Sequence, residues 1–383
     1  MSRFIDIHVL QTLPPSNPNR DDTGAPKTAT FGGVRRMRIS SQAIKRATRE
    51  DFEKRAPEGN RGIRTKLVVE LVRAAIVERA PQLAQSAAEL AEMGLVEIGF
   101  KLTEPRRKKN EETTDQKLKE AGFLVFLSAK QIEHLAEALV SVADAEDQKK
   151  AFKALKPKTL VDTDHSISIA LFGRMVAEPN SLNVDAACQV AHALGVGEVE
   201  SEYDYYTAVD DEKKRNDEAD EGAGMIGTIE FASATVYRYA TINVDLLEEN
   251  LGSVDAADDA IKLFIDSFVR AMPTGKVTTF ANRTLPDAVV VQVRDDQSIN
   301  LIGAFEEPVA TKAANGRKEG FAGPAVKRLV AFEKDMRALT GMTPKASLVA
   351  WTTHKAEPIA ELGQQVRLVD LGGAAVDALR GQQ

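Results

Sequence analysis

Apolar residues alternate with polar ones in several parts of the chain. The alternation covers residues 4–12 (FIDIHVLQT), the arginine-rich segment that contains Met37 and Ile39, and the long run at 228–242 (TIEFASATVYRYATI). A period of two is typical of a β-strand with one face on a core, so each of these segments is predicted to be a strand. The apolar run AVVVQVR at 288–294 predicts a further strand.

Other segments repeat their apolar residues at the period of a helix. This spacing extends over about residues 62–150 and predicts a block of helices. Helices are also predicted at 184–194 and 255–271. One more is predicted to begin at Ser40 or Ser41, because serine is a preferred N-cap residue. Strands and helices in this order predict an α+β fold with insertions carried on one sheet.

The composition is that of an ordinary globular protein. Of 383 residues, 43% are hydrophobic and 28% are charged, while only 5% are aromatic, which predicts an aliphatic core. The single cysteine, Cys188, excludes an internal disulfide framework and suits a reducing compartment. No segment approaches the roughly 18 uninterrupted apolar residues that a membrane span needs. We therefore expect a cytoplasmic protein without a membrane anchor.

Charge is distributed unevenly along the chain. The net charge is −7, but residues 20–49 carry eight cations against two aspartates, and residues 198–222 carry eleven acids against three cations. The eight cations are Arg20, Lys27, Arg35, Arg36, Arg38, Lys45, Arg46 and Arg49. Such asymmetry indicates a local polyanion site, and it would also let the acidic stretch of one copy meet the basic stretch of another.

The basic stretch ends in the helix that is predicted to begin at Ser40 or Ser41. Gln42, Lys45, Arg46 and Arg49 are spaced three and four residues apart, so they share one helix face. Unpaired backbone N–H groups at the helix start, together with a serine hydroxyl, predict an anion site. The cations would extend this site into a track for successive phosphates. The alternative is an ordinary solvated helix face.

A second basic face lies near residue 150. Lys149, Lys150, Lys153 and Lys156 follow one another at helical spacing, with acidic residues just before them. Lysines on a surface helix are common, so the pattern alone leaves nucleic-acid contact and ordinary solvation open.

Signals for catalysis are weak. The five histidines show no metal-ligand spacing, and the chain has neither a phosphate-binding glycine loop of the P-loop type nor a G-x-S-x-G nucleophile motif. Asp21 and Asp22 lie beside Arg20 and could in principle hold a hydrolytic metal. We predict neither a cofactor nor a resident metal.

Several segments together resemble one known family. In order along the chain they are IHVLQTLPPSNPNRDD, FGGVRRMRISSQAIKRA, IALFGRM, YYTAVDD and GTIEFASATVYRYATIN. This set closely resembles the backbone subunit, of the CasC type, of the type I-E CRISPR Cascade complex. The resemblance spans most of the chain up to about residue 350.

The resemblance implies an architecture like a right hand. A palm with an RNA-recognition-motif-like sheet would carry helical fingers and a protruding thumb. The implied parts are palm at 1–58, fingers at 59–158, palm or webbing at 159–196, thumb at 197–227 and palm again at 228–383. Several copies would form a helical filament along one guide RNA.

The resemblance also implies roles for particular residues. Those in the guide-backbone segments are Arg20, Lys27, Ser40, Gln42, Lys45, Arg46 and Arg49. Those around a displaced nucleotide are Arg174, Met175, Tyr206, Met225 and Ile226. The lysines associated with target DNA are Lys149, Lys150, Lys153 and Lys156. Base stacking on the sheet would need exposed aromatics, and Tyr237 and Tyr239 could serve this purpose or belong to the core.

These observations predict a non-catalytic subunit that binds the guide RNA (crRNA) and presents it for pairing with target DNA in antiviral defence. Its partners would be the crRNA, target DNA, other copies of itself and other Cascade subunits. The alternative is a metal-dependent nuclease subunit that cuts target RNA with Asp22.

Overall fold

The computed structural model describes residues 2–57, 61–105, 118–176, 180–208, 225–310 and 319–381. The chain forms two compact units. Unit 1 comprises Met1–Phe52, Val190–Thr241 and Ile261–Gln383, and unit 2 comprises Glu53–Gln189 and Ile242–Ala260. In the described ranges no helix has the length and apolar character needed to cross a membrane.

The strands are numbered in chain order. They are β1 (Phe4–Ser16), β2 (Thr28–Phe31), β3 (Val34–Ile39), β4 (Gly62–Thr65), β5 (Leu102–Thr103), β6 (Glu120–Ala121), β7 (Val125–Ser128), β8 (Cys188–Val190), β9 (Ala193–Gly195), β10 (Glu202–Ala208), β11 (Met225–Asn243), β12 (Ala288–Arg294), β13 (Ala346–Trp351) and β14 (Gln364–Gln365).

The α-helices are numbered in the same way. They are α1 (Ser41–Glu53), α2 (Val68–Arg79), α3 (Ala87–Ile98), α4 (Ala129–Ser141), α5 (Gln148–Ala154), α6 (Ile167–Phe172), α7 (Val244–Leu251), α8 (Val254–Arg270), α9 (Val277–Phe280), α10 (Ala322–Thr340) and α11 (Leu371–Arg380).

A large mixed sheet forms the centre of unit 1. Its strand order is β14-β13-β12-β1-β11-β9-β3-β2, and β10 pairs with β11. Strand β1 pairs antiparallel with β12, with Ile7 opposite Val291, whereas β13 and β14 run parallel. The mixed sheet and its helices agree with the predicted α+β class. The strands predicted at 4–12, 228–242 and 288–294 are confirmed as parts of β1, β11 and β12.

The two tyrosines of β11 belong to the core. Tyr237 is 1% exposed and Tyr239 is 7% exposed. The Tyr237 hydroxyl lies 2.8 Å from Nδ1 of His8, and the Tyr239 hydroxyl donates to Oδ1 of Asp6 at 2.9 Å. Burial raises the pKa of Asp6 to about 6 and lowers that of His8 to about 3. The sequence left open whether Tyr237 and Tyr239 stack on bases or belong to the core. Their burial shows that they belong to the core, so their rings are not available to stack on bases.

Unit 2 is mainly helical. Its core is formed by apolar residues of α2, α3 and α4 together with the short strands β4 to β7. Helix α4 begins with a capping box, in which the Ser128 hydroxyl accepts the N–H of Gln131 and the Gln131 side chain accepts the N–H of Ser128, both at 3.0 Å. This pairing stabilises the helix start against the buried core.

Two predicted helices are wrong in part. The helical spacing that was expected from residue 62 begins only at α2, because Gly62–Thr65 pairs with Val125–Ser128 as a strand. The segment at 184–194 contains strands β8 and β9. In both cases pairing with strands that are distant in sequence determines the structure, and the local spacing of apolar residues does not reveal such pairing.

The β2–β3 hairpin depends on glycine at its turn. Gly32 and Gly33 have φ angles of +60° and +78°, a region that residues with a side chain avoid. A Cβ atom at Gly32 would in addition overlap the carbonyl oxygen of Glu306. Glycine at position 32 therefore lets the hairpin pack against the backbone of Glu306 more closely than a residue with a side chain would permit.

Arg36 of β3 is a structural residue. Its side chain is 0% exposed. The guanidinium donates to the carbonyl oxygens of Val196 (2.6 Å), Phe305 (3.1 Å) and Glu306 (3.1 Å), and further bonds reach Gly195 and Phe31. Burial lowers the pKa of Arg36. One of the eight cations of the basic stretch is thus unavailable to a ligand.

Arg36→Ala should lower the free energy of unfolding by about 3 kcal/mol, because it leaves several buried carbonyl groups without donors. Arg35→Ala is the matched control, since Arg35 is exposed and its Nε donates to the Thr28 hydroxyl at the protein surface. Its expected cost is below about 0.5 kcal/mol. Urea unfolding monitored by circular dichroism would measure both values, and equal costs would contradict the assignment.

Candidate nucleic-acid interface

The loop that carries Arg20 is closed by Asp21. Its Oδ1 atom accepts hydrogen bonds from the hydroxyl of Thr23 (2.7 Å) and from the backbone N–H groups of Thr23 (2.9 Å) and Ala25 (3.0 Å). The Thr23 hydroxyl is the main cause that holds the pKa of Asp21 below its ordinary value. Asp21 thus shapes the loop, while Arg20 and Asp22 are exposed on it. Within the described ranges, no three His, Cys, Asp or Glu residues gather as metal ligands.

Asn19 joins this loop to the start of α1. Its side-chain Oδ1 accepts the N–H of Ser40 at 2.8 Å, and its backbone carbonyl accepts the N–H of Lys27 at 2.9 Å. Arg20, Lys27 and the helix are therefore held by one uncharged residue. Sequence reasoning missed Asn19, because nothing in the local pattern of PPSNPNRDD distinguishes it from Asn17.

Helix α1 presents the predicted polar face. Ile44, Thr48 and Phe52 are buried on one side. Gln42 and Arg46 are exposed, and Lys45 and Arg49 are half-buried. We define the basic segment as the following residues of unit 1: Arg20, Lys27, Gln42, Lys45, Arg46 and Arg49.

An acid just beyond the basic stretch reduces its charge. Glu50 accepts a hydrogen bond from Nε of Arg46 at 2.7 Å, one helical turn away. This hydrogen bond raises the pKa of Arg46. Both side chains are well exposed, so the pair contributes little to stability and would open readily for a phosphate.

The start of α1 differs from its prediction. Ser40 is 4% exposed, and its hydroxyl accepts the N–H of Ala43 at 3.3 Å. The N–H of Ser40 is bonded to Asn19, and the N–H of Ser41 donates to Nδ1 of His192 at 3.1 Å. The predicted set of unpaired N–H groups is therefore wrong for these donors, because side chains from two other segments already accept them.

His192 is the second residue that sequence reasoning missed. Its Nδ1 atom lies 3.4 Å from Nη1 of Arg38, and the side chain is exposed. Burial, followed by the positive charges of Arg38 and Lys27, lowers the pKa of His192. Because His192 and Ser41 are 151 positions apart, no sequence motif could have joined them.

Strands β10 and β11 form an antiparallel ribbon in the region of the predicted thumb. Tyr203 and Tyr205 of β10 are 68% and 62% exposed. Tyr206 is 37% exposed, and its ring lies so close to Gly227 that a Cβ atom there would overlap it. The structure thus adds two exposed tyrosines to the predicted Tyr206.

Met225 and Ile226 are the first two residues of β11. They pair with Ala208 and Thr207 of β10, and their side chains lie outside the described part of the chain. The wedge role that the resemblance implies for these side chains stays a prediction.

Arg174 and Met175 have opposite environments in unit 2. Arg174 is 5% exposed. Its guanidinium donates to the carbonyl oxygens of Leu182 (2.7 Å) and Val161 (2.9 Å), and burial lowers its pKa to about 10. Met175 is 91% exposed. Of this predicted pair, the methionine is therefore the side chain that a ligand can reach.

The predicted lysine face divides into two pairs. Lys149 and Lys153 of α5 lie 2.8 Å and 3.1 Å from the carboxylate of Glu97, whose side chain is only 7% exposed. Hydrogen bonds from Lys149 and Lys153 lower the pKa of Glu97. Lys150 and Lys156 are exposed, and Lys156 lies past the end of α5 with a φ angle of +52°.

Comparisons with known proteins place the chain among CRISPR-associated proteins. A family model described as "CT1975-like protein" (Cas_CT1975) matches residues 5–372. A chain of a solved "CRISPR RNA-guided surveillance complex, pre-nicking" is 32% identical, with a TM-score of 0.78, and the match covers 97% of this chain and 100% of that chain. A chain of another "CRISPR RNA-guided surveillance complex" is 28% identical, with a TM-score of 0.70 and the same coverage.

None of the curated proteins compared matches the chain. The matches to solved structures confirm the resemblance to subunits of CRISPR surveillance complexes. The finer assignment to the type I-E backbone subunit stays a prediction.

Proposed function

The chain belongs to the CT1975-like protein family, and we propose that it is a backbone subunit that binds the guide RNA in a CRISPR surveillance complex. Copies of the chain would line up along one crRNA and present it for pairing with target DNA. The proposal includes the CasC-type role in a type I-E Cascade and a palm related to the RNA-recognition motif. It also includes other subunits of the complex as partners.

The basic segment is the observation that carries this proposal. Within unit 1, Asn19 joins the loop of Arg20 and Lys27 to the helix of Lys45 and Arg49. Cations held in this way contact phosphates and carry no information about base identity. This suits a subunit that must hold any guide sequence, since base pairing then supplies the specificity.

The β10–β11 ribbon supports contact with unstacked nucleotides. Tyr203 and Tyr205 alternate with Asp204, so their rings project from the same face of the ribbon. Exposed aromatic rings stack on bases whatever their identity, at roughly 1–3 kcal/mol per base. Tyr206, Met225 and Ile226 would complete the thumb that separates one guide base from its neighbours. Met175 of unit 2 is proposed as a further contact.

The guide-binding role is tested first at the basic segment. Lys45→Ala combined with Arg49→Ala should weaken RNA binding to a similar extent for different sequences. It should lower the slope of log affinity against log salt by roughly one to two, because two phosphate contacts are lost. Fluorescence anisotropy with two unrelated single-stranded RNAs would measure both quantities.

The matched control replaces two exposed lysines elsewhere in unit 1, Lys327 and Lys334 of α10, by alanine. This variant should keep the wild-type affinity and slope. A loss that is confined to one RNA sequence, with the slope unchanged, would show that Lys45 and Arg49 read bases instead of phosphates.

The lysines of α5 provide a test of target-DNA contact. In a guide-loaded complex, Lys150→Ala with Lys156→Ala should weaken DNA binding several-fold, with the thermal stability of the subunit unchanged. Lys149→Ala with Lys153→Ala should instead lower the melting temperature, because the largely buried carboxylate of Glu97 loses these two cations. If the second pair alone affected DNA binding, the DNA role of Lys150 and Lys156 would be excluded.

The non-catalytic part of the proposal is tested with magnesium. A complementary RNA should remain intact when it is incubated with the guide-loaded protein and Mg²⁺. Asp22→Ala should change nothing in this assay, since Asp22 has no catalytic role in a scaffold. The nuclease alternative would be established if the wild-type protein cleaved the RNA, Asp22→Ala did not, and Asp21→Asn still did.

A further inference from the structure

His192 lies where three parts of unit 1 meet. Its imidazole is close to Arg38 of β3 and to the first residue of α1, and it feels the charge of Lys27, which precedes β2. The side chain is exposed, so a ligand bound between Lys27 and Arg38 could reach it. No inference from the sequence assigned this histidine a role.

The hydrogen bonds of His192 define its protonation state in the protein without a ligand. Nδ1 faces two donors, the backbone N–H of Ser41 at 3.1 Å and the Nη1 group of Arg38 at 3.4 Å. An atom that faces two donors acts as an acceptor, so Nδ1 carries no proton and Nε2 carries the single proton of a neutral imidazole.

The charges around His192 also favour the neutral ring. In the described part of the chain, the charged groups that shift its pKa are Arg38 and Lys27, and both lower it. The positive end of the α1 dipole acts in the same direction. Burial, the hydrogen bond that Nδ1 accepts from Ser41 and the uncompensated charges of Arg38 and Lys27 together keep the ring neutral.

A bound phosphate would reverse this balance. A phosphodiester between Lys27 and Arg38 would cancel their repulsion and attract an imidazolium. Once protonated, Nδ1 can no longer accept the Ser41 N–H. That N–H would then be released at the start of a helix, where backbone donors bind anions.

We propose that His192, in its protonated form, contacts a phosphodiester of the bound RNA together with Lys27, Arg38 and the N–H of Ser41, so that binding takes up a proton. This proposal rests on the proposed guide-RNA function and deepens it by naming one phosphate subsite and its coupling to pH. The proton comes from solvent and forms an N–H bond at Nδ1, which turns the imidazole into an imidazolium, and no bond of the phosphodiester changes.

The affinity for RNA should consequently depend on pH through His192. Fluorescence anisotropy would follow the full-length chain and a labelled single-stranded RNA from pH 8.0 to pH 5.5 at constant ionic strength. Wild type should bind roughly threefold to tenfold more tightly at the acid end, as expected for uptake of up to one proton. His192→Asn keeps an acceptor for the Ser41 N–H but cannot be charged, so it should lose this gain. His354→Asn, at an exposed histidine elsewhere in unit 1, should retain it.

NMR provides a readout that a purely structural role would not change. The imidazole signal of His192 is identified by its loss in His192→Asn, and its titration midpoint should lie below 6.5 in the free protein and rise when RNA is added. The His354 signal should not shift. Inorganic phosphate serves as a second probe, since it tests the subsite without bases.

Two results would overturn the proposal in different ways. The role of His192 would be refuted if wild type and His192→Asn bound RNA with the same pH dependence and if RNA did not move the titration midpoint of the His192 imidazole. The guide-binding function would then remain intact. Absence of salt-dependent RNA binding by wild type at every pH would refute both.

Discussion

The candidate interface of unit 1 depends on the burial of one charged group, the guanidinium of Arg36. Removing a guanidinium from water is costly unless each donor finds an acceptor, and here backbone carbonyls of three separate segments supply them. The same contacts tie the β2–β3 hairpin to the backbone at Val196 and Phe305. The hairpin in turn positions the residues at its two ends: Lys27 precedes β2, and α1 follows β3. A buried cation thus helps to determine where the cations of the basic segment lie.

Side chains that accept hydrogen bonds hold the exposed part of the candidate interface together. Asn19 and His192 accept the N–H groups of Ser40 and Ser41, and Asp21 uses its charge to close a loop. In these contacts the backbone N–H groups are accepted by uncharged or acidic side chains and not by the cations. This separation matters physically, because a residue that already pairs within the protein must lose that pairing before it can bind a phosphate. Under the role proposed for His192, such an exchange depends on a proton.

Much of the fold follows from local pattern, and much of the interface does not. The alternation of β1 and β11, the apolar run of β12 and the helical period of α8 are clear in the sequence, so these elements were predicted correctly. The resemblance to CRISPR subunits was also visible in short motifs. The burial of individual residues was not visible in the sequence. Arg35 and Arg36 look alike there, and only carbonyl groups from distant segments make Arg36 a buried residue. Asn19, His192 and the Lys149–Glu97 pair likewise depend on contacts between distant segments.

The pairing of β1 with β12 has a consequence for the synthesis of the protein. Ile7 lies opposite Val291, so a ribosome that adds about 5–20 residues per second releases β1 on the order of 15–60 s before its partner strand exists. Its other neighbour in the sheet, β11 (Met225–Asn243), is also synthesised late. For most of this interval β1 therefore has both edges unpaired, while Glu53–Gln189, the larger segment of unit 2, emerges. Nascent β1 is therefore an apolar strand with unpaired edges during much of synthesis, and such an edge needs protection from pairing with other chains.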